Sequence, residues 1–361
     1  MSSDHDPGHN PGAGQGPAQH PGAGPGPRIS PAPIFQLATG YWASSVLLTA
    51  NRIGLFTAVE RGASASASIE ELASGLALST YPLDNFVGAL VSLGLLERRG
   101  DRFANSPLAR AFLVEGQPAY LGNALKYSDD LYPVWGRLGD TLKTGAPALP
   151  PEDILGHDPE KTRHFVMGMH DRALGVGRSL AGALDLSGRT RLLDVGGGPA
   201  TYSCLLAQKN PDLTSRSMDL PAVVAIARTI ITGFGLADRV SAIEGNYNQP
   251  SYPGGNDVVL CSGMFHRENA DSCRAILRKS FAALAPGGQV IVHDVLADDD
   301  KAGPTFALLF GLNMALTATY GAAHSSAEVA GWMREAGFVN TSARPLPPPW
   351  PEAIVLGDKP M

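Results

Sequence analysis

Apolar residues recur at helical spacing through Ile34, Leu37, Ala38, Tyr41 and Trp42, and the pattern runs on to Ile53, Leu55 and Phe56. Ser68 followed three residues later by Glu71, ahead of Leu72 and Leu76, has the form of a capping box that opens a helix. Pro82 marks another helix start, Phe86, Leu90 and Leu93 its apolar face, and Gly94 its stop. The stretch "LLERRGDRFANS" then reads as a tight hairpin turning at Arg99, Gly100 and Asp101. Helix, turn, helix and hairpin in that order predict a winged-helix domain over residues 34–115. Linking helices follow over 116–185, with Trp135, Phe165, Met167 and Met169 on their apolar faces. From Arg191 the period changes, and "RLLDVG", "TSRSMDL", "RVSAIEG", "DVVLCSG" and "GQVIVHDV" alternate with helical stretches. Strands alternating with helices predict an α/β domain with a parallel sheet over residues 186–361.

Composition adjusts this picture in a few places. A chain of 361 residues with 44% hydrophobic residues can bury the cores of two domains. Residues 1–33 are Gly/Pro-rich with almost nothing to bury, which predicts a disordered tail; its His5, His9 and His20 have no cysteine partners and are not read as a metal site. The net charge of −6 argues against a general nucleic-acid binder. A DNA-binding regulator built on the winged helix is a further reading, but its recognition helix, "YPLDNFVGALVSLGLL", has no Lys or Arg to meet phosphate. Cys204, Cys261 and Cys273 have neither metal-ligand nor disulfide spacing and read as buried thiols. Asp298, Asp299 and Asp300 lack calcium-loop spacing, so no metal is expected. Residues 1–31 contain no signal-peptide core, and the longest apolar run, Phe306 to Ala323, is broken by Asn313. The expectation is a cytoplasmic protein with no membrane partner.

The sharpest chemical signal is "LLDVGGGPAT". A buried strand ends near Asp194, Gly196, Gly197 and Gly198 follow, and a helix opens near Thr201. Glycines at a strand-to-helix turn let a ligand approach the backbone. Asp219 ends the next strand, 21 residues beyond Gly198, where an acid accepts hydrogen bonds from ribose hydroxyls. A dinucleotide fingerprint needs a third glycine that is missing here. An acid just before the turn suits S-adenosylmethionine, which carries an amino group and a sulfonium and no phosphate, better than NAD.

Together with "LLDVGGG", the segments "MDLP", "EGNY", "LAPGG" and "GWMREAGF" resemble the caffeate and acetylserotonin type O-methyltransferase family, including its bacterial natural-product members. "SIEELA" and "ALVSLGLLERRGDRFANS" are similar to that family's dimerisation domain. The resemblance implies a Rossmann-like seven-stranded methyltransferase domain, an N-terminal all-α/winged-helix dimerisation domain and a homodimer. It places Gly196 and Gly198 at the methionine end of the cofactor, Asp219 at the ribose and Leu220 against the adenine. Gly245, Asn246 and Tyr247 also fall to the cofactor, with Asn246 standing where the family has Asp, and Ala200 replaces a family glycine.

The resemblance also places a catalytic histidine at His266, with Arg267 and Glu268 in place of the family's Asp and Trp. Asp294 corresponds to one acid that steers it, and His324 stands where the second acid would be. The helix from Pro304 to Tyr320, carrying Phe310, Asn313 and Met314, would cover a small aromatic or polycyclic acceptor, with Met169 and His170 reaching the same cavity. The expected function is methyl transfer to a hydroxyl. The alternatives are a C- or N-methyltransferase, and a cofactor-binding homologue that hydroxylates or decarboxylates a polycycle.

Overall fold

The computed structural model describes residues 29–151 and 158–361. The predicted disordered tail lies outside the described residues as far as residue 28.

The chain divides into two units, the first ending at Trp42 and the second running from Ala43 to Met361. In the first, α1 (Ala32–Thr39) has no buried residue, and Ile34, Phe35 and Leu37 are exposed. Helix α2 (Tyr41–Arg52) begins in this unit and continues into the next.

The second unit opens with helices and a hairpin in winged-helix order. Helices α3 (Leu55–Arg61), α4 (Ile69–Gly75) and α5 (Thr80–Ser92) precede a hairpin of β1 (Leu96–Arg99) and β2 (Arg102–Asn105). The capping box forms as the sequence predicts: Ser68 Oγ accepts from the Glu71 N–H, and Glu71 accepts from the Ser68 N–H. Leu55, Phe56, Val59, Leu83, Val87 and Leu90 make its core. Helices α6 (Pro107–Phe112), α7 (Gly122–Trp135), α8 (Leu138–Thr144) and α9 (Pro159–Ala183) lead to the sheet. Helix α9 starts at Asp158, whose carboxylate accepts from the N–H groups of Glu160 and Lys161. That geometry answers the unpaired donors of a helix N-terminus.

The sheet has seven strands in the order β5-β4-β3-β6-β7-β9-β8. These are β3 (Arg191–Val195), β4 (Thr214–Asp219), β5 (Val240–Glu244), β6 (Asn256–Ser262), β7 (Leu284–Val295), β8 (Val339–Pro345) and β9 (Glu352–Asp358). The five strands named in the sequence run parallel, and β9 pairs antiparallel with both β7 and β8. Strand β8 is mostly exposed and has no apolar run to mark it in the sequence. Helices α10 (Thr201–Lys209), α11 (Pro221–Gly233), α12 (Ala270–Ala283), α13 (Thr305–Thr317) and α14 (Ser326–Glu335) complete the domain.

The strand order places the site. The chain leaves β3 toward β4 on one side, and β6 lies on its other side, so the loops after β3 and β6 part above their carboxyl ends. Ligands of open α/β sheets bind in such a crevice. Gly196 after β3 and Met264 after β6 face each other there, with 3.7 Å between Met264 Sδ and the position of a Cβ on Gly196. Among the described residues no helix is long and apolar enough to cross a membrane.

Candidate active site

The turn after β3 is held from below. Gly196 and Gly198 have φ of +66° and +54°, a region that favours glycine, and the N–H groups of Gly196 and Gly197 donate to Met218 O at 2.9 and 3.3 Å. Ala200, at φ +59°, caps α10 in the same left-handed region and is fully buried. Asp194 lies wholly buried beneath the turn. Its Oδ2 accepts from Ser203 Oγ at 2.7 Å, its Oδ1 has no partner among the described residues, and burial raises its pKa to about 7.

Asp219 is fixed at the crevice. Its Oδ2 accepts from the Gly198 N–H at 2.8 Å and its Oδ1 from the Leu220 N–H at 2.7 Å. Asn246 is exposed, and its amide oxygen accepts from the Asn248 N–H at 2.8 Å, while its amide N–H groups have no partner among the described residues. Tyr247 lies against Gly196, and its hydroxyl donates to Glu268 at 2.7 Å. His170 Nδ1 meets Thr201 Oγ1 at 2.8 Å, at the first residue of α10. These features fit S-adenosylmethionine: backbone open to close approach at Gly196 and Gly198, an acid fixed at the end of the neighbouring strand, and a buried oxygen of Asp194 without a partner among the described residues.

His266 stands in a 3-10 turn between β6 and α12. Its Nδ1 lies 2.6 Å from Asp294 Oδ1, and its backbone N–H donates to Asp294 Oδ2 at 3.2 Å. Asp294 Oδ1 also accepts from the Val295 N–H at 2.8 Å. Burial pushes the Asp294 carboxyl up, but the neighbouring His266 charge and these bonds outweigh it and hold it below its usual value. An ionised Asp294 takes the proton side of Nδ1, so the lone pair of neutral His266 is on Nε2. That nitrogen has no partner among the described residues. The Phe310 ring stands edge-on to the imidazole at 4.8 Å, so α13 walls this side.

The other acceptor candidates are dispersed along that wall. Asn313 Oδ1 accepts from Trp135 Nε1–H at 2.9 Å, tying α13 to α7. Met314 is buried, and Met169 packs with Leu131, Val134 and Leu316. His324 turns its Nε2 to the carbonyls of Glu268 and Phe265, at 2.9 and 3.1 Å, and stands edge-on to Trp332. It braces the backbone of the His266 turn, a role its acidic counterpart in the resemblance did not foretell.

His293, next to Asp294, points to the opposite face. Its Nδ1 meets Ser262 Oγ at 2.8 Å, its Nε2 has no partner among the described residues, and burial lowers its pKa from 6.5 to about 4. The unfolded chain therefore binds a proton that the native state refuses between those values. Stability falls as pH drops from about 6.5 to about 4, by about 3 kcal/mol from this group. His293→Gln should flatten that limb, and urea unfolding at pH 7 and pH 4 checks it. An unchanged pH dependence would assign the acid sensitivity elsewhere.

Arg172, whose guanidinium lies over the Tyr127 ring, 5.8 Å from its centroid, and Glu352, whose carboxyl burial pushes up, are not residues that the sequence singles out. Arg172 lies three residues after Met169 on α9, and i, i+3 spacing is the signal that puts both on one helix face.

An O-methyltransferase domain model matches residues 144–339, and an O-methyltransferase dimerisation domain model matches residues 35–115. The 3-hydroxy-5-methyl-1-naphthoate 3-O-methyltransferase of Streptomyces sahachiroi is 32% identical over 333 residues, covering 91% of this chain and 95% of that protein. The tetracenomycin polyketide synthesis 8-O-methyl transferase of Streptomyces glaucescens is 32% identical over 335 residues, covering 91% and 97%. The fold matches human N-acetylserotonin methyltransferase in complex with S-adenosylmethionine, with a TM-score of 0.84, 24% identity and coverage of 94% and 100%. With the glycine turn and Asp219 in place, these matches settle the class: the chain belongs to the O-methyltransferase family and is an S-adenosylmethionine-dependent O-methyltransferase.

Proposed function

We propose that the chain methylates a hydroxyl of a small aromatic or polyketide-type acceptor, with His266 as general base. The observation that carries this reading is the His266–Asp294 contact of 2.6 Å, with Nε2 unpartnered among the described residues and the Phe310 ring beside the imidazole. S-adenosylmethionine supplies an activated methyl on its sulfonium. Gly196, Gly198 and Asp219 would hold it, with Asp194 supporting the turn from beneath.

The chain's own task is the acceptor proton. A phenol titrates near 10 and histidine near 6.5, so full transfer before methylation is uphill by ~3.5 pK units, about 5 kcal/mol. A base that takes the proton as the methyl arrives avoids most of that cost. Asp294 orients the ring and stabilises the imidazolium that forms. Phe310, stacked on Phe306 with their rings 6.1 Å apart, offers a flat apolar surface to an aromatic acceptor. The naphthoate and polyketide named for the two Streptomyces relatives support that class. The exposed apolar side chains of Ile34, Phe35, Leu37, Tyr41 and Trp42, with the matched dimerisation domain, support a homodimer.

The test is to incubate the protein with methyl-labelled S-adenosylmethionine and a panel of hydroxynaphthalenes and hydroxylated polycycles. Mass spectrometry and NMR then locate the label. One methyl on oxygen per S-adenosylhomocysteine formed is expected. A methyl on carbon or nitrogen would overturn the reading.

A further inference from the structure

The turn that carries His266 is held through its backbone and, at Glu268, through a side chain. The His266 carbonyl accepts from the Ala322 N–H at 3.0 Å, and His324 binds the carbonyls of Phe265 and Glu268. Glu268, two residues after His266, is buried, and its Oε1 accepts from the Tyr247 hydroxyl at 2.7 Å. Tyr247 belongs to the loop after β5 and Glu268 to the loop after β6. Among the described residues theirs is the one hydrogen bond that joins these two loops. A buried carboxylate is costly unless a donor answers it, and the Tyr247 hydroxyl is that donor.

Tyr247 is itself fixed. Its carbonyl accepts from the Tyr252 hydroxyl at 2.7 Å and from Lys279 Nζ. Its ring Cδ1 lies 3.7 Å from the position of a Cβ on Gly196, in the turn assigned to the cofactor. A path therefore runs from the glycine turn across the Tyr247 ring to Glu268, and along the backbone to His266. A base has to stand close to its working place, since a displacement of about 1 Å can cost about 10²-fold in rate. This path sets the base against the turn that receives the methyl donor.

We propose that the Tyr247–Glu268 hydrogen bond is a strap between the cofactor loop and the base turn, and that Glu268 is a positioning residue for methyl transfer. It acts through Tyr247 and through the short stretch of backbone it shares with His266, fixing where the imidazole stands relative to Gly196. The inference rests on the reading of His266 as general base.

The test is a double-mutant cycle on Tyr247→Phe and Glu268→Ala. It is read as initial rates with S-adenosylmethionine and the hydroxynaphthalene that the wild type methylates fastest, beside calorimetric titration with S-adenosylhomocysteine. Each single variant should lose about tenfold in kcat, with KM for the hydroxynaphthalene and affinity for S-adenosylhomocysteine within about threefold of wild type. That retained affinity also reports that the variant is folded, and Tyr247→Phe, which loses only an oxygen, keeps the test decisive should Glu268→Ala not fold. The double variant should fall no more than about twofold below the lower single one, because both remove the same bond. Glu268→Gln, whose amide oxygen still accepts from the hydroxyl, should recover most of the rate. In a His266→Ala background Glu268→Ala should change the rate by less than about twofold, since no base is left to place. Wild-type kcat in both single variants, losses that multiply in the double, a Gln variant as slow as the Ala variant, or the full loss without His266 would each overturn the proposal. His266→Ala turning over as the wild type does would overturn the base reading and the inference with it, whereas the other failures leave that reading standing.

Discussion

His266→Gln should lower turnover by about 10²–10⁴-fold while leaving affinity for S-adenosylhomocysteine within a few-fold of wild type. The imidazole stands across the crevice from the glycine turn and bonds Asp294, so its loss removes the proton acceptor without touching Asp219 or Gly198. Asp294→Asn should fall in the same range for a different reason. An asparagine can donate to Nδ1, which turns the ring to the tautomer that carries its proton on Nε2. Initial rates and calorimetry on the two variants check both statements. Unchanged turnover in His266→Gln would mean that the base has been misassigned.

The second large effect belongs to Gly197. A Cβ there would collide with Ser217 Oγ and stand 2.7 Å from Asp194 Oδ2, atoms buried under the turn with no room to retreat. Gly197→Ala should therefore displace the backbone that meets the cofactor and weaken S-adenosylhomocysteine binding by at least tenfold. Overpacking of this kind also costs about 1–3 kcal/mol of stability. Gly233→Ala on α11 is the control, since its Cβ would meet open space, and it should bind as wild type does. Equal affinity in the two variants would show that the turn does not cradle the ligand as described.

Much of this was legible because local chemistry and fold agree. Glycines followed by a strand-terminal acid at a set distance can be read without a structure, as can the Ser68–Glu71 box and the Arg99–Asp101 turn. His266 and Asp294 were legible only through resemblance, since 28 residues separate them and only the sheet brings them together. His324 shows the limit most clearly. Its position was readable, but its bonds go to the backbone carbonyls of Phe265 and Glu268, which side-chain identities do not disclose. Arg172 is a case of the same kind: an arginine in a sequence looks like surface, and only geometry shows its guanidinium over the Tyr127 ring, 5.8 Å from the centroid. Glu352 pairs with Val295, next to Asp294, on a strand whose exposed neighbour has no pattern to read.

The central claim is that His266 removes the acceptor proton during methyl transfer. The direct measurement is single-turnover methyl transfer to phenols of graded acidity, by the wild type and His266→Ala at one pH. With a base in place, the wild-type rate should change little across the series, because proton removal accompanies transfer. The variant should act only on phenolate already formed, and its rate should climb steeply as the phenol becomes more acidic. Parallel dependences in the two proteins would contradict the account.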